Sequence, residues 1–237
     1  YLKYGSEKNI ISIKVDNSKQ PNSRWYSGSG IYRNVRLVTT NKISVDHWGT
    51  YVTTPIINKD IAFVTVQTKV RNASGKSQSV KLINEIFDVD KKSISTTSTE
   101  ISLTDNSSQE FTQYLDIKNP VLWDIDNPYL YKVVTKIEAD GEVCDEYVTT
   151  LGVRYFNFDV ETGFSLNGKN IKLNGVCNHH DLGCLGAAIN TRALERQIEI
   201  LKGMGVNSIR TSHNPPAPEL LDLCDKMGIL VMDEAFD

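Results

Sequence analysis

Through residues 43–151 apolar side chains recur at every second position, in short runs broken by turn formers. Ala62-Val64-Val66-Thr68-Val70 is followed by Val80-Leu82, Ile83-Glu85-Phe87-Val89, Ile101-Leu103, Phe111-Leu115-Ile117 and Tyr131-Val133-Thr135-Ile137. Period two puts alternate side chains on opposite faces of a strand, so each run offers one apolar face to a second sheet. Turn chemistry at 72–76, 90–92, 105–108 and Asp140-Gly141 separates the runs. About seven short strands in this stretch predict an immunoglobulin-like sandwich. With Cys144 the only cysteine of the stretch, it lacks the inter-sheet disulfide of antibody domains. Residues 93–104 are rich in Ser and Thr, but Ile94, Ile101 and Leu103 argue for exposed strand rather than disorder. Trp48 and Trp123 fall in contexts suited to packing.

The pattern changes after residue 153. Three short apolar runs, Lys172 to Cys177, Val206 to Ile209 and Ile229 to Met232, lead into Asn178-His179-His180-Asp181, Arg210-Thr211-Ser212-His213-Asn214-Pro215-Pro216 and Asp233-Glu234. Between them lie two helical patterns. The first spans about 191–202, with Leu194, Ile198 and Leu201 on one stripe, and stops at Gly203 and Gly205; the second follows Pro218 and ends at Gly228. Strand, helix, strand, helix, strand with short connections implies parallel strands, which places all three polar clusters at one end of the sheet. The carboxyl ends of parallel strands are where α/β folds carry chemistry.

A doubly wound nucleotide fold would place a glycine-rich turn after the first of these strands, and Cys177-Asn178-His179-His180-Asp181 offers no such cradle. A (β/α) barrel fits better, and Asn167-Gly168 marks a hairpin leading into it. A closed barrel takes about 250 residues, so residues from 153 onward are expected to form only its beginning. At the other end, residues 10–15 and 31–38 read as two strands joined by a polar loop, the tail of an all-β domain.

Composition narrows the function by exclusion. The 237 residues carry a net charge of -3, with 40% hydrophobic and 23% charged side chains, as in an ordinary soluble multidomain protein. No basic patch interleaved with aromatics points to nucleic acid, and no apolar run approaches the ~20 residues that span a bilayer. Cys144, Cys177, Cys184 and Cys224 form no Cys-x-x-Cys pair and are expected as free, mostly buried thiols. The histidine and cysteine spacings match no compact zinc motif. Asp16 and Asn17 close the first predicted strand, and on spacing alone turn formation is their simplest role. A carbohydrate-binding or adhesion array of immunoglobulin-like domains is the non-enzymatic rival, and it would need an aromatic platform on the sandwich.

Five motifs in order make the chain recognisable. Gly28-Ser29-Gly30-Ile31-Tyr32-Arg33-Asn34-Val35, Asn119-Pro120-Val121-Leu122-Trp123, Leu173-Asn174-Gly175-Val176, Arg210-Thr211-Ser212-His213-Asn214-Pro215 and Val231-Met232-Asp233-Glu234-Ala235 together resemble the family 2 glycoside hydrolases, most closely the β-galactosidases. β-Glucuronidases and β-mannosidases share several of them. The resemblance implies a mostly β, multidomain chain. Residues 1–41 would be the C-terminal part of a sugar-binding jelly-roll domain, 42–152 the immunoglobulin-like sandwich, and 153–237 the N-terminal part of a TIM barrel.

It also implies a retaining exo-glycosidase acting on a β-linked sugar, with two glutamates on later barrel strands as acid and nucleophile. Neither belongs to this stretch, so no residue here is expected to be catalytic, and no cofactor or metal is expected. His179 and His213 match barrel histidines that hydrogen-bond the sugar, acting as neutral imidazole donors to its hydroxyls. Asp16 matches an aspartate extended from the first domain onto the same sugar. Arg210 lies beside them, and Asn178 stands where the family commonly has an arginine. The Asp233-Glu234 pair is largely structural in the family pattern. Family analogy leaves a homo-oligomer open and favours a periplasmic or extracellular setting over the cytoplasm.

Overall fold

The computed structural model describes residues 2–19 and 29–235. Seven long strands build the sandwich: β1 (Ile43–Ile57), β2 (Ile61–Asn72), β3 (Gln78–Phe87), β4 (Ser93–Leu103), β5 (Ser107–Lys118), β6 (Tyr131–Ala139) and β7 (Glu142–Leu151). They form two antiparallel sheets, ordered β1-β2-β5 and β4-β3-β6-β7. The alternation read from the sequence is the packing pattern. Ala62, Val64, Val66 and Val70 of β2 are buried, as are Val80, Leu82 and Ile86 of β3, while their neighbours along each strand are more exposed.

The sandwich core is two apolar clusters with a polar layer between the sheets. One holds Val64, Val66, Ile86, Leu115, Ile117 and Val133; the other holds Val70, Val80, Leu82, Leu103 and Ile137. In the middle, Asn84 of β3 donates to Gln113 Oε1 at 2.7 Å and accepts from Thr135 Oγ1 at 2.5 Å. Gln113 in turn donates to the Leu82 carbonyl and to Thr99 Oγ1. All three amide and hydroxyl side chains are buried, and each finds a partner, as burial in a low-dielectric core demands.

Three short strands follow, β8 (Phe156–Asp159), β9 (Gly163–Leu166) and β10 (Lys169–Asn170), in the order β10-β9-β8. The predicted Asn-Gly turn joins β9 to β10, with Asn167 at φ 51° and Gly168 at φ 77°, the left-handed geometry that a tight hairpin needs. The chain then enters β11 (Gly175–Asn178), α1 (Thr191–Gly203), β12 (Ser208–Thr211), α2 (Pro218–Met227) and β13 (Leu230–Met232). β11, β12 and β13 are parallel neighbours, in register at Cys177, Arg210 and Met232. Asn190 caps α1 by accepting from the Ala193 amide at 3.0 Å, and Gly228 closes α2 in the left-handed region. Leu194 and Ile198 of α1 pack with Leu220, Leu223 and Cys224 of α2 over Ile209.

Three expectations change. Residues 10–15 and 31–38 form no strand: a strand is defined by its partner, and neither run has one among the described residues. Ile10, Ile11, Val35 and Leu37 are exposed instead of alternating in and out of a core. Trp48 is exposed as well, at φ 49° beside a break in the β1-β2 register, whereas Trp123 is buried as expected. The four cysteines are free, but only Cys224 is fully buried; Cys177 and Cys184 are exposed.

Candidate functional site

Parallel register brings the three polar clusters to one rim. Because Cys177, Arg210 and Met232 share a row, the residues just after them leave the sheet side by side. The Ser212 amide donates to the Asn178 carbonyl at 2.9 Å, carrying the ladder past the end of β12. Thr211 Oγ1 accepts from the Glu234 amide at 3.0 Å and lies 3.4 Å from Asp233 Oδ1, so one hydroxyl pins the start of the third loop.

On this rim the rings of His179 and His213 meet edge to face, centroids 5.5 Å apart. Glu234 reaches both Arg210 and His213. Its Oε1 lies 3.0 Å from His213 Nδ1, and its Oε2 lies 2.8 Å from Arg210 Nη2. The second contact is a close charge pair rather than an aligned hydrogen bond, since Oε2 is buried with no partner of hydrogen-bonding geometry. The His213 hydrogen bond, with the Arg210 charge added, holds the Glu234 carboxyl below the ordinary glutamate range. Arg210 also stands 3.4 Å from His213 Nδ1 and 3.7 Å from Cys177 Sγ.

A second tier supports the first loop. His180 Nδ1 lies 3.1 Å from Asn214 Oδ1, and the ring stacks on Tyr32 with centroids 5.5 Å apart. Tyr32 also accepts the Ile189 amide through its carbonyl. Next to it, Arg33 donates to the Pro215 carbonyl, and Asn34 and Arg36 both donate to Glu219 Oε1, at 2.6 and 2.7 Å, in the first turn of α2. The stretch expected to be a strand therefore uses its polar groups to clasp the barrel loops. A cavity of about 30 Å³ lies behind the rim, lined by Asn178, Ser212, Asn214, Leu194 and Leu220 among others, and admits about one water molecule.

Of the residues expected at the site, His179, His213 and Arg210 come together. Asn178 joins them through its backbone, while its side-chain nitrogen is sealed from solvent. Asp16 is exposed and accepts from the Ser18 amide at 3.0 Å, the turn-forming bond that its spacing suggested. The sequence places Glu234 on the same rim as the histidines, because the residues after consecutive parallel strands must be adjacent, but not its contact with His213; nor does it place Tyr32 against His180. The latter depends on a contact with the segment's distant end that no local pattern encodes.

A sandwich joined to the opening of a parallel α/β barrel, with its ionisable groups gathered at the strand carboxyl ends, is the layout of a barrel enzyme. The chain belongs to the Glycosyl hydrolases family 2: the model of that name matches residues 43–154, and the model of the family's TIM barrel domain matches residues 159–236. It is 52% identical over its whole length to the β-galactosidase BoGH2A of Bacteroides ovatus, and 40% identical to a putative β-glucuronidase of Formosa agariphila. It spans 28% and 22% of the lengths of those two proteins. A crystal structure of a family 2 member from Bacteroides cellulosilyticus superposes on 90% of the chain with a TM-score of 0.84 and 44% identity, the match covering 28% of that protein.

Proposed function

We propose that this chain supplies one wall of the sugar site in a retaining exo-glycosidase that hydrolyses terminal β-galactosides. The observation that carries this reading is the pairing of His179 and His213 on adjacent parallel strand ends, edge to face at 5.5 Å. Two imidazoles on one rim offer nitrogen atoms to neighbouring hydroxyls of a single sugar ring. The similarity to a β-galactosidase across the full chain supports the choice of sugar.

In this reading the wall binds and does not cleave. A retaining mechanism needs two carboxyl groups about 5 Å apart, one of them free to carry a proton at neutral pH. Glu234 is tied to an arginine and a histidine and kept ionised, which suits a support and not a proton donor. Asp233 is directed to Thr211.

The test is an assay of the whole protein that contains this chain, using p-nitrophenyl β-galactoside and β-glucuronide. Faster turnover of the galactoside is expected, with His213→Ala lowering kcat by about 10²-fold or more if the contact tightens in the transition state. Preference for the glucuronide would favour the second reading, a β-glucuronidase, which the similarity to the Formosa agariphila protein keeps in view. Unchanged turnover in both His179→Ala and His213→Ala would overturn the assignment of the site.

A further inference from the structure

Building on that reading, we propose that Glu234 is a positioning residue which fixes the tautomer of His213, so that His213 meets the sugar as a hydrogen-bond acceptor through Nε2. A carboxylate held ionised has no proton to give, so the 3.0 Å contact between Glu234 Oε1 and His213 Nδ1 requires the hydrogen to sit on Nδ1. In the neutral ring the other nitrogen then bears only a lone pair. No group among the described residues engages Nε2, and His213 keeps about a third of its side chain exposed at the rim.

Glu234 is itself immobilised from both sides. Its amide is held by Thr211 Oγ1, and its second oxygen lies against Arg210. Arg210 Nη2 sits 3.4 Å from His213 Nδ1, yet that nitrogen cannot accept while it carries the hydrogen used on Glu234. Arg210 therefore acts on the carboxylate and not on the ring. The order of contacts, arginine to glutamate to imidazole, is that of a charge-supported carboxylate orienting a histidine. Its consequence departs from the expectation that both imidazoles donate: a neutral His213 accepts a sugar O–H, and a sugar oxygen that carries no hydrogen, as in an O-methyl ether, is rejected at that position.

The proposal is tested on two independent readouts. In the 237-residue chain, ¹⁵N–¹H correlation of the histidine rings is expected to show Nδ1 protonated and Nε2 bare in neutral His213, with a mixture of tautomers in Glu234→Gln, whose amide can either accept from Nδ1 or donate to it. Neutral His213 protonated on Nε2 in the unsubstituted chain would overturn the proposal, whatever the activity. In the whole protein, Glu234→Gln is expected to lower kcat/KM about 10-fold or more, and Glu234→Asp, which keeps the charge, to recover part of it. Circular dichroism and melting of each variant separate this loss from unfolding. A Glu234→Gln protein that keeps full kcat/KM would sink the positioning role, whereas a whole protein with no glycosidase activity but the expected ring tautomer would sink only the functional reading beneath it.

Discussion

At the scale of single residues, the groups that matter are those whose charge is fixed by a neighbour far away in sequence. Glu219 shows this most simply. It lies in the first turn of α2, where a negative charge suits the helix dipole, and its side chain is 13% exposed. The Asn34 hydrogen bond, with the charges of Arg36 and Arg33 added, draws its carboxyl below the ordinary range. A carboxylate whose folded value is depressed contributes stability that is present above its unfolded value and is lost as pH falls through the folded one. Urea unfolding is therefore expected to show Glu219→Gln less stable than the parent at neutral pH. The difference should shrink as the pH falls below about 4, where the unfolded carboxyl takes up its proton first, and vanish once the folded carboxyl is protonated as well. A difference that stays constant across that range would mean that the clasp by Asn34 and Arg36 contributes nothing through charge.

At the scale of elements, the sandwich is specified twice, once by alternation and once by its buried polar layer. Alternation was legible because every apolar run from β2 to β6 had a partner within the chain, so local pattern and tertiary packing agree. The parallel rim was legible for a similar reason, since strand and helix patterns alternate with connections too short for any other arrangement. Residues 31–38 misled because the same period-two pattern is written there, while what decides their conformation is the docking of Tyr32, Arg33, Asn34 and Arg36 onto barrel loops more than 140 positions away. Within the rim, strand-end position brings the three polar clusters together, and the family resemblance singles out His179 and His213 among them. The part played by Glu234 was not legible, because neighbours on a strand end are expected to face opposite ways, and that argument says nothing about which of the two faces the histidine.

The polar layer gives a sharper prediction than the apolar faces do. Asn84 is the hub between Gln113 and Thr135, so Asn84→Ala strands a buried amide oxygen and a buried hydroxyl at once. With about 1–3 kcal/mol for each of the two unsatisfied groups, a loss of roughly 2–6 kcal/mol is expected by chemical denaturation. The double variant Asn84→Leu with Gln113→Leu removes more hydrogen bonds but leaves fewer orphans. Recovery of stability in the double variant is the expected outcome, and a further additive loss would show that the layer contributes by net bonding rather than by satisfaction.

At the scale of the whole molecule, the sandwich and the barrel opening are joined through one buried tryptophan. Trp123 follows β5 in the loop that leads to β6; its indole N–H donates to the Asp225 carbonyl of α2 at 2.7 Å, and its own carbonyl accepts from Asn167 of the hairpin. Arg154 lies over its ring at 5.1 Å, and the neighbouring Ile125 carbonyl approaches Gly228 so closely that a Cβ there would stand 2.2 Å from the oxygen. Gly228 is thus required for two reasons, its left-handed backbone and the proximity of the other domain. Gly228→Ala carries about 1–2 kcal/mol for the backbone alone, and the contact with Ile125 can be relieved only by moving the 119–128 loop away from α2. Gly205→Ala, just past α1 at φ 85°, is the matched control, since it shares the left-handed backbone and nothing lies within 4 Å of its added carbon. The expected result is a fall in the urea midpoint for Gly228→Ala beyond the backbone figure, together with a red-shifted component in tryptophan emission as the Trp123 indole gains access to water. A fall confined to about 1–2 kcal/mol with unshifted emission would show that the two parts meet without depending on each other. The placement of the histidine rim relative to the sandwich would then rest on other contacts, among them the clasp at Tyr32 and Glu219 and the bond from Lys202 to the Ile125 carbonyl.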